Sequence, residues 1–122
     1  MTPRLHPRAL ETVCIVYEAA REAGIEPLEV IVFGSWARGD WLWSSDIDVI
    51  IVSRGCGEKP LERVDAIYSK IVAKKPPVWP ELLCYTPEGL EEATRRATIV
   101  RDASRYWIRI PREQLGALCK PR

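Results

Sequence analysis

Residues 30–52 read VIVFGSWARGDWLWSSDIDVIIV. Two short runs in this stretch, 30–33 and 47–52, are apolar and β-branched apart from one aspartate, as expected for strands buried within a sheet. The first run ends at Gly34-Ser35, where a glycine allows backbone N–H groups to approach a phosphate closely. A Gly-Ser pair alone is more often an ordinary turn. The stretch therefore predicts two strands joined through a strand-to-helix turn.

Two aspartates mark the start of the second predicted strand. Asp46 and Asp48 face the same side because side chains alternate along a strand, and their Cα atoms are about 6.5–7 Å apart after two strand steps. Carboxylate oxygens are the ligands that Mg²⁺ prefers, and such a pair can hold one or two ions. Alone, the pair reads more simply as a solvated strand end or as an ion pair with Arg38. Together with Gly34-Ser35, it predicts a site for metal and phosphate.

The pattern G-S-x-A-R-G, a short loop and S-D-I-D before an apolar strand resembles the nucleotidyltransferase superfamily typified by DNA polymerase beta, most closely its minimal nucleotidyltransferases. The resemblance covers residues 30–52. It implies an α/β (α+β) fold with a central mixed β-sheet flanked by helices, in which Asp46 and Asp48 hold one or two Mg²⁺ ions. Members carry a third carboxylate on the next strand, and Glu81 in the predicted strand 81–85 falls there, although aspartate is commoner at that position.

The same resemblance implies a metal-dependent transfer of an NMP from ATP or another NTP to an acceptor hydroxyl. Gly34 and Ser35 would bind the distal phosphates, and Glu81 would hold metal or activate the acceptor. Arg38 would reach phosphate or, as the slightly preferred interpretation, brace the carboxylates. Ser45 is a candidate to contact the nucleotide, and it would also hold the loop through a local hydrogen bond.

The acceptor is expected on another chain, because the sequence offers no separate acceptor domain. Minimal members commonly pair with a small helical HEPN-type protein, and several act as antitoxins that nucleotidylate the toxin, so an antitoxin-like role is an expectation by analogy. A homodimer is compatible with so small a domain. The alternative is a catalytically silent nucleotide-binding or pairing module, against which the intact motifs count. An aminoglycoside-like modifier is the weakest hypothesis, because a substrate domain is missing.

Composition and hydropathy limit the possible domain number, partners and location of the protein. The 122 residues, 47% of them hydrophobic, suit a single domain over 1–122. The net charge of +1 gives no reason to expect broad binding to nucleic acid or membrane, and nucleic acid is an unlikely partner. Prolines and charges occupy residues 1–11, and no apolar run approaches membrane-spanning length, which favours a cytoplasmic protein. The cysteines lack C-x-x-C spacing and are expected to be buried or free thiols rather than zinc ligands: Cys14, Cys56, Cys84 and Cys119.

Outside residues 30–52, hydrophobic periodicity and turn residues predict further helices and strands. The predicted ranges are a helix over 8–23, a helix from Pro60 to about Lys74, the strand 81–85, a helix from Thr86 through Val100, and a strand over 105–110. Residues 111–122 are left unassigned, and the strand order cannot be deduced. The Trp41-Leu42-Trp43 cluster is expected to pack beneath its loop, with base stacking or protein docking as the alternative.

Overall fold

A computed structural model describes residues 4–96 and 104–119. Its four strands form one mixed sheet in the order β3-β2-β1-β4. The middle strands β1 and β2 are antiparallel, β4 is antiparallel to β1, and β3 is parallel to β2. This confirms the predicted α+β fold with a central mixed sheet. The strands are β1 Glu29–Phe33, β2 Ile47–Val52, β3 Pro80–Tyr85 and β4 Ile108–Pro111.

Helices connect and flank these strands. Prolines occupy the first turn of the two longest helices, where the missing N–H group has no helical partner to lose. None of the helices in the described ranges is long and apolar enough to cross a membrane. The α-helices are α1 Pro7–Glu22, α2 Ser35–Arg38, α3 Pro60–Ile71, α4 Pro87–Arg96 and α5 Arg112–Leu118, and short 3₁₀ turns lie at Arg54–Cys56, Val72–Lys74 and Ser104–Tyr106.

The predictions for the C-terminal third need correction. The strand expected over 105–110 begins only at Ile108, because the last residue pair between β1 and β4 joins Val32 to Ile108 and the residues before it have no partner strand. The unassigned tail contains α5. The predicted continuation of α4 through Val100 lies outside the described residues.

The two faces of the sheet are covered unequally. One face packs against α1 and α3 and forms the large core, in which Val30, Val49 and Ile51 are fully buried. On the other face, Ile50 packs with Leu90 of α4 in a much smaller cluster. The part of this second face beyond Ile50 is therefore open, and it carries the acidic residues.

The prediction of free cysteines is wrong. Cys14 is bonded to Cys119, and Cys56 is bonded to Cys84, with Cα–Cα distances of 5.2 and 5.4 Å. These distances lie within the normal range for disulfides. The bonded residues are 105 and 28 positions apart. Packing of distant elements brings them together, so local spacing in the sequence could not reveal the pairs.

Two hydroxyl groups from helices satisfy backbone groups around the start of β3. Thr12 Oγ1 donates to the Val78 carbonyl at 2.9 Å and accepts from its N–H at 3.2 Å. Tyr68 donates from its hydroxyl to the Pro80 carbonyl at 3.0 Å and accepts from the Leu82 N–H at 2.9 Å. Because buried or edge backbone groups are costly to leave unpaired, these contacts fix the path of the chain into β3.

Candidate active site

The turn between β1 and α2 requires glycine for two independent reasons. Gly34 has φ 72° and ψ −153°, a backbone conformation that residues with a Cβ rarely adopt. A Cβ added there would lie 2.1 Å from Asp48 Oδ2. The N–H groups of Ala37 and Arg38, in the second half of α2, donate to the Gly34 carbonyl at 3.1 Å. The backbone of this turn therefore lies directly against a carboxylate of the neighbouring strand.

The three predicted acids lie at one end of the sheet. Asp48 in β2 is paired with Phe33 of β1 on one side and with Glu81 of β3 on the other. Residues directly opposite one another on neighbouring strands project from the same face. Asp46 precedes β2 and is exposed, Asp48 is half-buried, and Glu81 is exposed. The strand register thus brings the acids to the open face, with Asp48 closest to the turn.

Burial and charge both act on Asp48. Burial raises the pKa of this carboxyl, the charge of Asp46 raises it further, and the charge of Arg38 opposes the rise. Among the residues that the structure describes, the side chain of neither aspartate forms a hydrogen bond or a contact ion pair. The paired acids therefore have no cationic side chain in contact, and a bound cation would relieve their repulsion.

The donor set of the pair fits a hard divalent cation. Asp46 and Asp48 offer carboxylate oxygens, which Mg²⁺ prefers, and nothing in the described ranges competes for them. No group of three or more His, Cys, Asp or Glu side chains is arranged to hold a metal within residues 4–96 and 104–119. Glu81 is next to Asp48 in register, but the three acids do not form a ready three-ligand site. Its role as a ligand stays a prediction.

Two further predicted site residues bond within the loop that joins α2 to β2. Arg38 Nε contacts Asp40 Oδ2 at 3.3 Å, and the charge of Arg38 also acts on Asp48, so its bracing of the carboxylates stays a prediction. Ser45 Oγ accepts the Leu42 N–H at 3.0 Å, which is the predicted local hydrogen bond. Direct contact of Arg38 or Ser45 with a nucleotide stays a prediction.

The tryptophan cluster is only partly packed. Trp41 stacks on Trp36 of α2, with ring centroids 4.1 Å apart and planes 5° apart, as expected for packing beneath the loop. That expectation is wrong for Leu42 and Trp43, which are 69% and 66% exposed. His6 contacts Trp41 edge to face, an interaction that sequence analysis missed because 35 positions separate the two residues. The loop therefore presents two exposed apolar side chains a few residues before Asp46 in the chain.

A cavity of about 570 Å³ lies at the other end of the same sheet face, between α4 and β4. Leu90 and Trp107 are among its lining residues, and none of the three acids is. This cavity is therefore separate from the acidic site, in which Asp46 and Glu81 are exposed.

Comparison with known proteins agrees with this geometry. No curated protein sequence matches the chain significantly. The crystal structure of a proposed nucleotidyltransferase from Sulfolobus solfataricus is similar, with 28% sequence identity and a TM-score of 0.52, covering 70% of this chain and 73% of that one. Residues 13–106 match the nucleotidyltransferase domain family, a span that includes Gly34, Asp46, Asp48 and Glu81. The chain belongs to this family, as a minimal nucleotidyltransferase of the DNA polymerase beta-like superfamily.

Proposed function

We propose that this protein is a Mg²⁺-dependent nucleotidyltransferase that transfers an NMP from ATP or another NTP to an acceptor hydroxyl. The observation that carries the proposal is the approach of the Gly34 backbone to the Asp48 carboxylate. A Cβ added at Gly34 would lie only 2.1 Å from Asp48 Oδ2. A turn that binds phosphate and an acid that binds metal must be neighbours if one metal-bound triphosphate is to contact both.

The order of the strands supports a direction for the proposed reaction. Crossing the sheet from β1 to β3, one meets the Gly34 turn, then Asp48, then Glu81. Neighbouring strands are about 4.8 Å apart, so the two outer groups are separated by roughly 10 Å. This spacing favours distal phosphates over β1, the reacting phosphorus near β2, and the acceptor over β3.

The residues then have distinct tasks. N–H groups at the start of α2, with the Ser35 hydroxyl, bind the distal phosphates. Asp46 and Asp48 hold Mg²⁺, which when bound neutralises the triphosphate charge. The acceptor oxygen forms a bond to the α-phosphorus while the bond to pyrophosphate breaks, and Glu81 takes the hydroxyl proton. The position of Glu81 on the side away from the turn favours this role over triphosphate binding.

The acceptor is proposed to lie on a small helical HEPN-type partner, a suggestion that rests on the resemblance to minimal nucleotidyltransferases. Exposed apolar side chains around the acids support a macromolecular acceptor: Leu83 shares the face of Glu81 and is 44% exposed, and Trp79 before β3 is 43% exposed. Such side chains around an open site are typical of docking surfaces. A silent pairing module would use the same surface, but it would not need glycine against Asp48.

The test is a calorimetric titration of ATP with Mg²⁺ into the wild type, the Asp46→Asn, Asp48→Asn double variant, and Asp65→Asn, which removes one exposed acid from α3 as a matched control. Binding is expected in the wild type and the control, only with Mg²⁺, and is expected to vanish in the double variant. The double variant should remain folded, since it removes repulsion between like charges. Binding that survives in the double variant, or a wild type that binds no NTP, would overturn the proposal.

Transfer is then measured with α-labelled ATP and a candidate HEPN-type protein. Label is expected on the partner with wild type and not with the double variant. Partner binding without any label, in the presence of Mg²⁺, would favour the silent pairing module instead.

A further inference from the structure

The hydroxyl of Tyr68 forms hydrogen bonds with the backbone on both sides of Glu81. It donates to the carbonyl of Pro80, the residue before Glu81, and accepts from the N–H of Leu82, the residue after it. Both partners belong to β3, whereas Tyr68 lies in α3, 12 and 14 positions earlier in the chain. One oxygen atom therefore fixes the backbone on both sides of the acid.

The ring of Tyr68 extends this support to β2. It stacks on Trp79, with centroids 5.7 Å apart and planes 7° apart. The Trp79 carbonyl accepts the N–H of Ile47 at 2.9 Å, and Ile47 stands between Asp46 and Asp48 in the sequence. Tyr68 is thus connected through one residue to the segment that carries the two aspartates.

β3 is an edge strand, and its outer backbone groups have no neighbouring strand among the described residues. Without the hydroxyl, the Pro80 carbonyl and the Leu82 N–H would lose this hydrogen-bond partner, and the peptide units around Glu81 would be held less firmly. Burial, with added contributions from the charges of Glu81 and Asp46, raises the pKa of Tyr68. The phenol therefore retains the proton that it donates to Pro80.

We infer that Tyr68 is a positioning residue that holds Glu81 at the distance from Asp48 required for transfer. The inference rests on the proposed function, because Glu81 needs a fixed position only if it acts on the acceptor or the metal. Tyr68 itself touches no reacting atom. Misplacement of a catalytic group by 1 Å can reduce the rate about 100-fold, so a hydroxyl that fixes two peptide units can have a large kinetic effect.

The variant to test is Tyr68→Phe, which keeps the ring on Trp79 and removes only the oxygen. Its matched control is Tyr106→Phe, which removes the same atom from a tyrosine that is 45% exposed. The first measurement needs no nucleotide: hydrogen exchange of the Leu82 amide should accelerate at least about tenfold in Tyr68→Phe and remain unchanged in the control. An unchanged rate would show that the hydroxyl does not hold this strand and would overturn the inference.

The second measurement is pyrophosphate release from MgATP, with water or the protein itself as acceptor, under conditions where every variant is fully folded. Tyr68→Phe is expected to lower kcat about 10- to 100-fold while KM for MgATP stays within about twofold, because the phosphate turn is untouched. A kcat within about twofold of wild type would refute the inference. A wild type that neither binds nor turns over any NTP would instead refute the proposed function.

A double variant separates positioning from general support. In a Glu81→Gln background, or Glu81→Asp if Gln leaves too little activity, Tyr68→Phe should have little further effect on kcat, while its effect on the melting temperature persists. Equal loss of kcat in both backgrounds would mean that Tyr68 acts on the fold and not through Glu81.

Discussion

Gly34→Ala is expected to weaken both the fold and the binding of MgATP. The new methyl group would lie 2.1 Å from Asp48 Oδ2 and 3.1 Å from its Cγ, so one of the two must move. Asp48 can rotate more easily than the backbone can shift, because the clash involves the end of its side chain. The substitution should therefore displace the Asp48 carboxylate, which is proposed to bind the metal, even if the chain still folds.

The expected loss of stability has two parts. Holding alanine at φ 72° and ψ −153° costs about 1–3 kcal/mol. Forcing Asp48 out of its preferred rotamer adds about 0.5–1.5 kcal/mol. The total is about 1.5–4.5 kcal/mol, which for a domain of this size lowers the melting temperature by roughly 10 °C.

Gly39→Ala is the matched control. Gly39 ends α2 with φ 91°, and a Cβ there would meet nothing within 4 Å. It therefore carries only the cost of a left-handed alanine, about 1–2 kcal/mol. Urea unfolding gives the stabilities of both variants, and calorimetry gives their affinities for MgATP. Binding should be lost in Gly34→Ala and retained in Gly39→Ala.

A double-mutant cycle tests the clash itself. In an Asp48→Ala background the atoms that the methyl group would strike are gone, so Gly34→Ala should cost less than in the wild type. The coupling expected for two residues in contact is about 0.5–3 kcal/mol. If Gly34→Ala is no more destabilising than Gly39→Ala and leaves MgATP binding intact, or if the cycle shows no coupling, the close approach does not govern this site.

Two other predictions concern the long-range contacts that hold the sheet in place. Thr12→Val should cost about 2–4 kcal/mol in urea unfolding, because it leaves both backbone groups of Val78 unpaired. The exposed Ser69→Ala, which also removes a hydroxyl bonded to a carbonyl, should cost far less, and equal losses would contradict the role of Thr12. Replacing Cys14 and Cys119 by alanine should cost about 4–5 kcal/mol, because their bond closes a loop of 105 residues. Replacing Cys56 and Cys84, whose bond closes a loop of 28 residues, should cost about 3–4 kcal/mol. A melting temperature that dithiothreitol does not change would contradict the values for both disulfides.

Local pattern was enough to predict the parts of the site that lie on adjacent elements. The apolar run 47–52 predicted the extent of β2 correctly, and the projection of Asp46 and Asp48 from one face stays a prediction. The turn at Gly34 follows from the abrupt end of β1. These features depend on residues within a few positions of one another, and the sequence displays such relations directly.

Strand order and cross-links depend on packing between distant segments. The β4 strand joins the edge of β1 although more than 70 residues separate them. The disulfide between α1 and the segment after α5 needs the same global arrangement. Neither relation leaves a periodic pattern, so hydrophobic spacing predicts which residues are buried and not which distant residues meet.

Tyr68 shows most clearly what a local sequence pattern cannot predict. In the sequence it is one more apolar position on the helical stripe of α3, indistinguishable from Ile67 or Ile71. Its ring does pack partly against the core, as that pattern implies. Its hydroxyl, however, bonds on both sides of Glu81, and only the parallel pairing of β3 with β2 makes those contacts relevant to Asp48. The role proposed for Glu81 from the family resemblance therefore involves, through the fold, a residue whose type and spacing indicated packing alone.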